Sequence, residues 1–338
     1  MKGKSKVKLS TLNLVYPPVS NRVASMHSDD KEFARIISNS DFYMIGGRAA
    51  ACFANVVQEA EEGTVSFDIV VAGGPTATGR LHFGRIKRIL EDGRDEVPLR
   101  LSWGDDELSV WIADEAGESK LAAAYSPESA LMTVGRKDPS PLSGLENYRE
   151  LMTFDLLYVG IAKVGDTFSR LIGHGHHARQ KILSEEPQRY PGASVTDEIF
   201  LFAFEVDPMF VRTFGADADI EDEDVDFSYN PKPIVADAEK AFVSLLKPPY
   251  NRQLFANYPR GKDGLYNNGL DSYSYSIAEG MTFRTSWGDF HGARSFMLDF
   301  SNEADSIMVK GDEITIYIGE TETFLVSKGG DPESEGSS

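Results

Sequence analysis

Apolar residues follow two different periods along this chain, and these periods predict strands in some segments and helices in others. They occupy every second position in residues 64–71 (TVSFDIVV), which predicts a strand. A denser apolar run in residues 198–206 (EIFLFAFEV) predicts a second strand. In residues 234–246 the helical period places Ala238 and Phe242 on one apolar face, and the following prolines must end that helix.

Residues that break regular structure divide these elements into regions. The first part of the chain shows no clear period, and a Pro-, Ser- and Gly-rich stretch around residues 135–144 predicts a linker. The predicted fold class is α/β, of the α+β kind, with β-rich segments at both ends. The predicted regions are 1–40, extended and partly disordered; 41–135, a β-rich domain; 145–260, an α/β domain; 270–328, a β-rich segment; and 329–338, a disordered tail.

Composition and charge narrow the possible partners. The chain has 338 residues with 41% apolar and 26% charged residues, which is typical of a folded protein. It has no apolar run long enough to span a membrane and no apolar signal core near its start, so we expect a cytoplasmic protein without a membrane partner. A net charge of −19 argues against broad affinity for a polyanion.

Two local charge clusters nevertheless affect the functional interpretation. Residues 215–227 (GADADIEDEDVDF) form an acidic insert with seven acidic residues, which is either a solvated loop or a phosphate mimic that covers a basic cleft. Positive charge is concentrated around residues 166–183 (DTFSRLIGHGHHARQKIL), which are also predicted to form a helix. This basic patch is the candidate surface for nucleic acid and consists of Lys163, Arg170, Arg179, Lys181 and Arg189.

Three separated motifs follow one another in the second half of the chain. Tyr158-Val159-Gly160 ends a predicted strand. A predicted helix then carries Arg170, with His174 one turn later. The third motif is a helix that begins near Glu239 and ends in Lys-Pro-Pro-Tyr-Asn at Asn251. Together and in this order the three motifs, which cover about a third of the chain, resemble the GIY-YIG nuclease family, whose signature ends in a tripeptide like Tyr158-Val159-Gly160.

The resemblance implies a fold, an activity and a set of roles. It implies a central three-stranded sheet with flanking helices, and metal-dependent hydrolysis of phosphodiester bonds in nucleic acid. Glu239 would hold Mg²⁺ or Mn²⁺, Arg170 the scissile phosphate, and Tyr158 the attacking water, while His174 would assist proton movement. The substrate-binding residues would be Gly160, Lys163, Arg179, Lys181 and Asn251.

The first half of the family signature, Gly-Ile-Tyr, has no match directly before the Tyr-Val-Gly strand. Tyr148 lies about where the first tyrosine would stand, so it is the candidate for that catalytic position. Each of these residues also has a purely structural interpretation. Tyr158 fits an ordinary strand, Arg170 fits the solvated face of a helix, and Glu239 fits the first turn of a helix.

Two alternatives to a nuclease therefore stay open. One is an inactive module of the same fold that binds a protein or nucleic acid in a bacterial multi-component system, such as a defence system. The other is a β-rich ligand-binding protein, which requires that residues 155–251 do not build a three-stranded sheet.

Overall fold

A computed structural model shows a strand-rich α+β protein with three sheets. It describes residues 4–93, 97–113, 119–134, 140–162, 165–173, 176–220, 228–294, 301–319 and 323–326. The strands are β1 (Lys4–Leu14), β2 (Val19–Ser20), β3 (Phe42–Gly47), β4 (Ala51–Glu59), β5 (Thr64–Val71), β6 (Thr76–His82), β7 (Leu99–Trp103), β8 (Leu108–Ala113), β9 (Ser119–Tyr125), β10 (Leu142–Gly144), β11 (Thr153–Ile161), β12 (Ile199–Phe214), β13 (Ser272–Ile277), β14 (Thr282–Arg284), β15 (Asp289–His291), β16 (Ser306–Lys310), β17 (Glu313–Tyr317) and β18 (Thr323–Val326).

Helices are mostly short and connect or cover the strands. The α-helices are α1 (Asn21–Met26), α2 (Lys31–Ile37), α3 (Lys87–Leu90), α4 (Pro127–Thr133), α5 (Tyr148–Leu151), α6 (His177–Glu185), α7 (Val195–Glu198) and α8 (Pro231–Leu246). Two 3₁₀ turns (Ala60–Glu62 and Phe83–Arg85) and a π-helical turn (Ser169–Gly173) complete the regular elements. In the described ranges, no helix is both long enough and apolar enough to cross a bilayer.

The largest sheet runs in the order β15-β14-β11-β3-β12-β1-β13-β16-β17-β18, with β2 added beside β12. Residues 4–14, which the sequence pattern predicts to be loosely ordered, instead form β1. This strand pairs antiparallel with β12 over its whole length and parallel with β13 at residues 7–12. Its backbone is therefore bonded on both sides, and these non-local bonds stabilise a lysine- and serine-rich segment that has little strand signal of its own.

The centre of this sheet combines segments that are distant in the sequence. Within residues 155–251 the described strands are β11 and β12, and the strand between them is β3, which pairs antiparallel with both. A continuous row β11-β3-β12 results, although β3 precedes β11 by more than a hundred residues. Two smaller sheets, β10-β6-β5-β4 and β7-β8-β9, are built from the chain between β3 and β11.

Strand β3 and residues 199–204 of β12 are buried on both faces, which explains their nearly continuous apolar sequences. Phe202 and Phe204 of β12 pack with Phe42 in the larger hydrophobic cluster. Tyr43 and Leu201 point to the opposite face and pack with helices α1, α2 and α6 in a second cluster. The strand predictions for residues 198–206 and 64–71 are confirmed as β12 and β5.

Helix α8 has clear start and stop signals, and the helix predicted here is confirmed. The side chain of Asn230 accepts a hydrogen bond from the amide of Lys232, and Pro231 occupies the first helical position. The helix ends at Lys247, which is left-handed (φ 48°), directly before Pro248. Its apolar face packs on β11 and β12, so its polar residues are held beside the end of β11.

Several predicted features lie outside the described residues. They are Lys163 and His174 of the predicted site, residues 221–227 of the acidic insert, and the C-terminal tail from residue 329.

Candidate functional site

Two tyrosine rings lie against each other on one face of the central sheet. Tyr43 of β3 is directly opposite Gly160 of β11, and Tyr158 is two residues before Gly160 on the same face. The ring centroids of Tyr43 and Tyr158 are 6.1 Å apart with an interplanar angle of 23°. A Cβ atom at Gly160 would lie 2.7 Å from the Tyr43 ring and 2.8 Å from the Tyr158 ring. The glycine of the Tyr-Val-Gly motif is therefore required for the packing of the two rings.

The edge of β11 at Tyr158 is held by the loop that follows α8. Strand β14 pairs with β11 only at residues 153–155, and a β-bulge lies between Leu156 and Tyr158. Beyond it, Asn251 Oδ1 accepts a hydrogen bond from Val159 N (2.9 Å) and Asn251 Nδ2 donates to Val159 O (2.8 Å). The Asn251 side chain thus takes the place of a neighbouring strand after Tyr158, and the Tyr250 N–H donates to Leu157 O (3.1 Å) before it.

Arg170 and His176 both bind the hydroxyl group of Tyr43. Arg170 Nε donates to the Tyr43 oxygen at 2.9 Å, and His176 Nε2 lies 2.9 Å from the same oxygen. His176 Nδ1 accepts a hydrogen bond from the amide of Arg179, because His176 is the N-cap of α6. We infer that Nε2 carries the imidazole hydrogen and donates it to Tyr43. The Tyr43 oxygen then accepts two hydrogen bonds, and its own hydrogen can be donated towards Tyr158.

Burial and charge set the protonation of this cluster. Burial raises the pKa of Tyr43 above its ordinary value, and burial followed by the nearby Glu239 carboxylate raises the pKa of Tyr158. Burial, followed by the positive charges of Arg170 and Arg179, lowers the pKa of His176 to about 4. At neutral pH both phenols are therefore protonated and His176 is uncharged.

Tyr158, Arg170 and His176 border a cleft of about 520 Å³, which we call the tyrosine cleft, and Tyr43 is buried behind them. Glu239 of α8 lies on its wall, and its charge acts on both Tyr158 and Arg170. The cleft is lined by Tyr158, Arg170, His176, His177, Ala178, Lys181, Glu239, Tyr250, Asn251, Arg252, Gln253 and Phe255. The structure thus brings Tyr158, Arg170, Lys181, Glu239 and Asn251 of the predicted set together.

Two other predicted residues, Arg179 and Arg189, are largely buried and bind other parts of the protein. Arg179 is buried, and its guanidinium group donates to Asn21, to the carbonyl oxygen of Leu171 and to Ser25. It ties α6 to α1 and faces away from solvent, which differs from the predicted substrate contact. Arg189 of the predicted basic patch is likewise largely buried and is paired with Glu186.

Tyr148 does not occupy the predicted position of the first tyrosine. It lies on α5, and its ring packs so closely against Gly280 that a Cβ atom there would be 2.6 Å away. Tyr43 stands beside Tyr158 instead. The two smaller sheets are inserted between β3 and β11, so a search directly before the Tyr-Val-Gly strand could not find it. The signal that was available is an aromatic residue in an apolar strand, FYMIGG, which by itself indicates core.

Glu239 is the acidic residue of the tyrosine cleft and the candidate ligand for a metal ion. Across the described ranges, no group of three or more His, Cys, Asp or Glu side chains converges on one point. Mg²⁺ keeps most of its water ligands and is commonly held by one or two carboxylates together with substrate phosphate. A single carboxylate, Glu239, beside an open cleft is compatible with that kind of binding.

No family model matches the chain, and comparison with curated proteins and with solved structures gave no match either.

Proposed function

We propose that this protein is a metal-dependent nuclease of the GIY-YIG type, with β11, β3 and β12 as its three-stranded sheet. One observation carries the proposal: Tyr158, Arg170 and Glu239, one from each of the three motifs, line the same cleft. Tyr43 is buried behind them, stacked on Tyr158 and hydrogen-bonded to Arg170, and would be the first tyrosine of the signature. A purely structural origin of the motifs does not require this convergence, since each motif could pack separately.

Arg170 is placed to bind the scissile phosphate. It is exposed at the cleft, and its Nε is fixed by Tyr43, which restricts the orientation of the guanidinium plane. A planar guanidinium donates two parallel hydrogen bonds to phosphate oxygens and stabilises the charge that develops on them. Glu239 would hold Mg²⁺ or Mn²⁺, and such an ion supplies Lewis-acid stabilisation of the same phosphate when bound.

The two tyrosines and His176 would control the proton of the attacking water. His176 is neutral, but its Nε2 is engaged by Tyr43, so it acts as a positioning residue for that phenol. Tyr158 is half-buried on the wall of the cleft and, of these two tyrosines, is the one closer to solvent and to Glu239. We therefore assign the contact with the attacking water to Tyr158, with Tyr43 as the group that orients Arg170.

The second candidate function is a binding module that has lost catalysis. It is favoured by the net charge of −19 and by the raised pKa of both phenols. At neutral pH very little of either phenol is deprotonated, so neither one is ready to accept a proton from water. In that case the tyrosine cleft would hold a nucleic-acid end or a phosphorylated partner without cleaving it.

The test is cleavage of labelled single- and double-stranded DNA and RNA in Mg²⁺, Mn²⁺ or EDTA. Arg170→Ala and Glu239→Gln are compared with the exposed matched controls Arg35→Ala and Glu150→Gln. We expect metal-dependent cleavage that falls by about 10²-fold or more in both cleft variants and stays unchanged in both controls. Cleavage that survives Glu239→Gln would refute the assigned roles, and folded protein that cuts no substrate would favour the binding module.

A further inference from the structure

A second cleft adjoins the tyrosine cleft along the loop that follows α8. It holds about 480 Å³, and its lining includes Lys240, Gln253, Leu254, Phe255, Arg260 and Asp263. We call it the lysine cleft. Gln253 and Phe255 line both clefts, so the two spaces meet at these side chains.

Helix α8 separates the two clefts with consecutive residues. Glu239 lines the tyrosine cleft and Lys240 the lysine cleft, because neighbouring helical residues point about 100° apart. A phosphate held near Glu239 and Arg170 is thus one helical position away from a second cationic site. Lys240 is nearly buried, with 10% of its side chain exposed, so its ammonium group has a defined place.

The charge of this joined surface is opposite to that of the chain. Five basic and two acidic residues line the two clefts, which gives a local net charge of +3 with histidines neutral, against −19 for the whole protein. The basic residues are Arg170, Lys181, Lys240, Arg252 and Arg260. Such a local excess of positive charge favours the binding of phosphate groups.

Two of these cations are already paired in the protein alone. Arg260 makes two 2.9 Å hydrogen bonds with Asp312, and Lys240 pairs with Asp263. The Arg260–Asp312 pair is exposed on both sides, and exposed ion pairs exchange partners at little cost. In the second pair only the Asp263 carboxylate is exposed, so a phosphate can approach Lys240 from that side. Arg252 is exposed in the tyrosine cleft directly before Gln253, and its guanidinium nitrogen lies 3.5 Å from His177 Nε2.

The junction also offers apolar and amide groups. Leu254 is 44% exposed, and Phe255 has a left-handed backbone (φ 48°) while its side chain lies between the two clefts. A bulky residue seldom adopts this conformation, and such strain is concentrated at ligand-binding segments. Phosphate-binding cations beside an aromatic ring and polar amides are the combination found in grooves for single strands.

We propose that a single strand of nucleic acid runs from the tyrosine cleft over Gln253 and Phe255 into the lysine cleft. This inference rests on the proposed function, since it takes the tyrosine cleft as the place of the scissile phosphate. A space of about 480 Å³ matches the size of a small-molecule site, which suits one or two units of a single strand and is too small for a duplex.

The test measures binding in EDTA, so that cleavage does not contribute. Fluorescein-labelled DNA and RNA of about 12 nucleotides, single-stranded or as duplexes, are titrated with the protein, and the anisotropy is followed at several salt concentrations. The variants are Arg252→Gln and Lys240→Met, which keep much of the side-chain volume. Lys232→Met is the control, because Lys232 is exposed on the first turn of the same helix.

We expect single strands to bind more tightly than duplexes. Each cleft variant should weaken single-strand binding by about 5- to 10-fold and reduce the salt slope by about one unit, while the control should do neither. In a cleavage assay Lys240→Met should raise KM and leave kcat within about twofold, because Lys240 lines the lysine cleft and not the cleft of the reacting phosphate.

The possible results separate this inference from the proposed function. Single-strand binding that depends on Arg252 and Lys240, without any cleavage, would support the groove and count against the nuclease. Cleavage together with unchanged binding in both variants would overturn the groove and leave the nuclease standing. Tighter binding of duplexes, or no binding of any oligonucleotide, would overturn the single-strand groove.

Discussion

Gly160→Ala tests whether the two tyrosine rings are packed over β11 as the structure places them. The added Cβ would lie 2.7 Å from Cζ and from the hydroxyl oxygen of Tyr43, and 2.8 Å from Cε1 of Tyr158. Ordinary contacts between such atoms are about 3.5–4.0 Å, so a gap of about 1 Å must open. Tyr43 is fully buried and is held by Arg170 and His176, so its ring has little room to move.

The cost of that displacement can be stated for stability and for activity. Overpacking of this kind costs about 1–3 kcal/mol, and the lower chain entropy of unfolded alanine offsets about 0.4–1 kcal/mol. We expect the free energy of unfolding to fall by about 1–2 kcal/mol. If the cleft is catalytic, a shift of about 1 Å should also lower the cleavage rate by about 10²-fold.

The assay is urea unfolding of Gly160→Ala beside Gly84→Ala. Gly84 is a suitable control because a Cβ atom there meets nothing within 4 Å. The control should be as stable as the parent protein or up to about 1 kcal/mol more stable. If Gly160→Ala unfolds like the control, the two rings do not pack over this glycine and the geometry of the tyrosine cleft is wrong. Lost cleavage with unchanged stability would point to a role of Gly160 in substrate contact instead.

Two further variants test other parts of the same framework. Asn251→Ala removes both bonds to Val159 and leaves its N–H and C=O without their partner, so the free energy of unfolding should fall by about 1–3 kcal/mol; an unchanged urea midpoint would contradict this. Burial raises the pKa of Asp41 to about 6, so its contribution to stability is fully present below about pH 4 and is lost as the pH rises through about 6. Asp41→Asn keeps an oxygen for the amide of Val206 and should raise stability by at most about 3 kcal/mol at pH 7.5, with the gain shrinking towards pH 4. An equal effect at both pH values would show that the Asp41 carboxylate is not destabilised by burial.

Elements with a local signal were predictable from the sequence alone. Helix α8 shows its period and its end before Pro248, although the predicted helix began at Ile234 and the observed one begins at Pro231. The apolar run of β12 is visible without any partner. The Tyr-Val-Gly, arginine and Glu-to-Asn motifs were also visible, because each lies within a few turns of chain. The resemblance carried by these motifs predicted that Tyr158, Arg170 and Glu239 share one site, and all three line the tyrosine cleft.

What the sequence could not provide is the pairing of distant segments. The row β11-β3-β12 depends on backbone bonds between residues more than a hundred positions apart, and no local pattern encodes them. The segment around Tyr43 therefore looks like an ordinary core strand. Tyr148 was predicted as the first tyrosine because it lies close to the Tyr-Val-Gly strand in the sequence. Strand β1 was missed for the same reason, since its partners β12 and β13 supply the bonds that make it a strand.

Burial was the other quantity that only the tertiary structure decided. Arg179 belongs to a basic run in the sequence, yet its guanidinium group is turned inward by Asn21 and Ser25, while Lys181 two residues later reaches the tyrosine cleft. The sequence determined which chemical groups were present, and the folding of β3 against β11 determined which of them meet. Charge type is a property of each residue, whereas exposure depends on what the rest of the chain places against it.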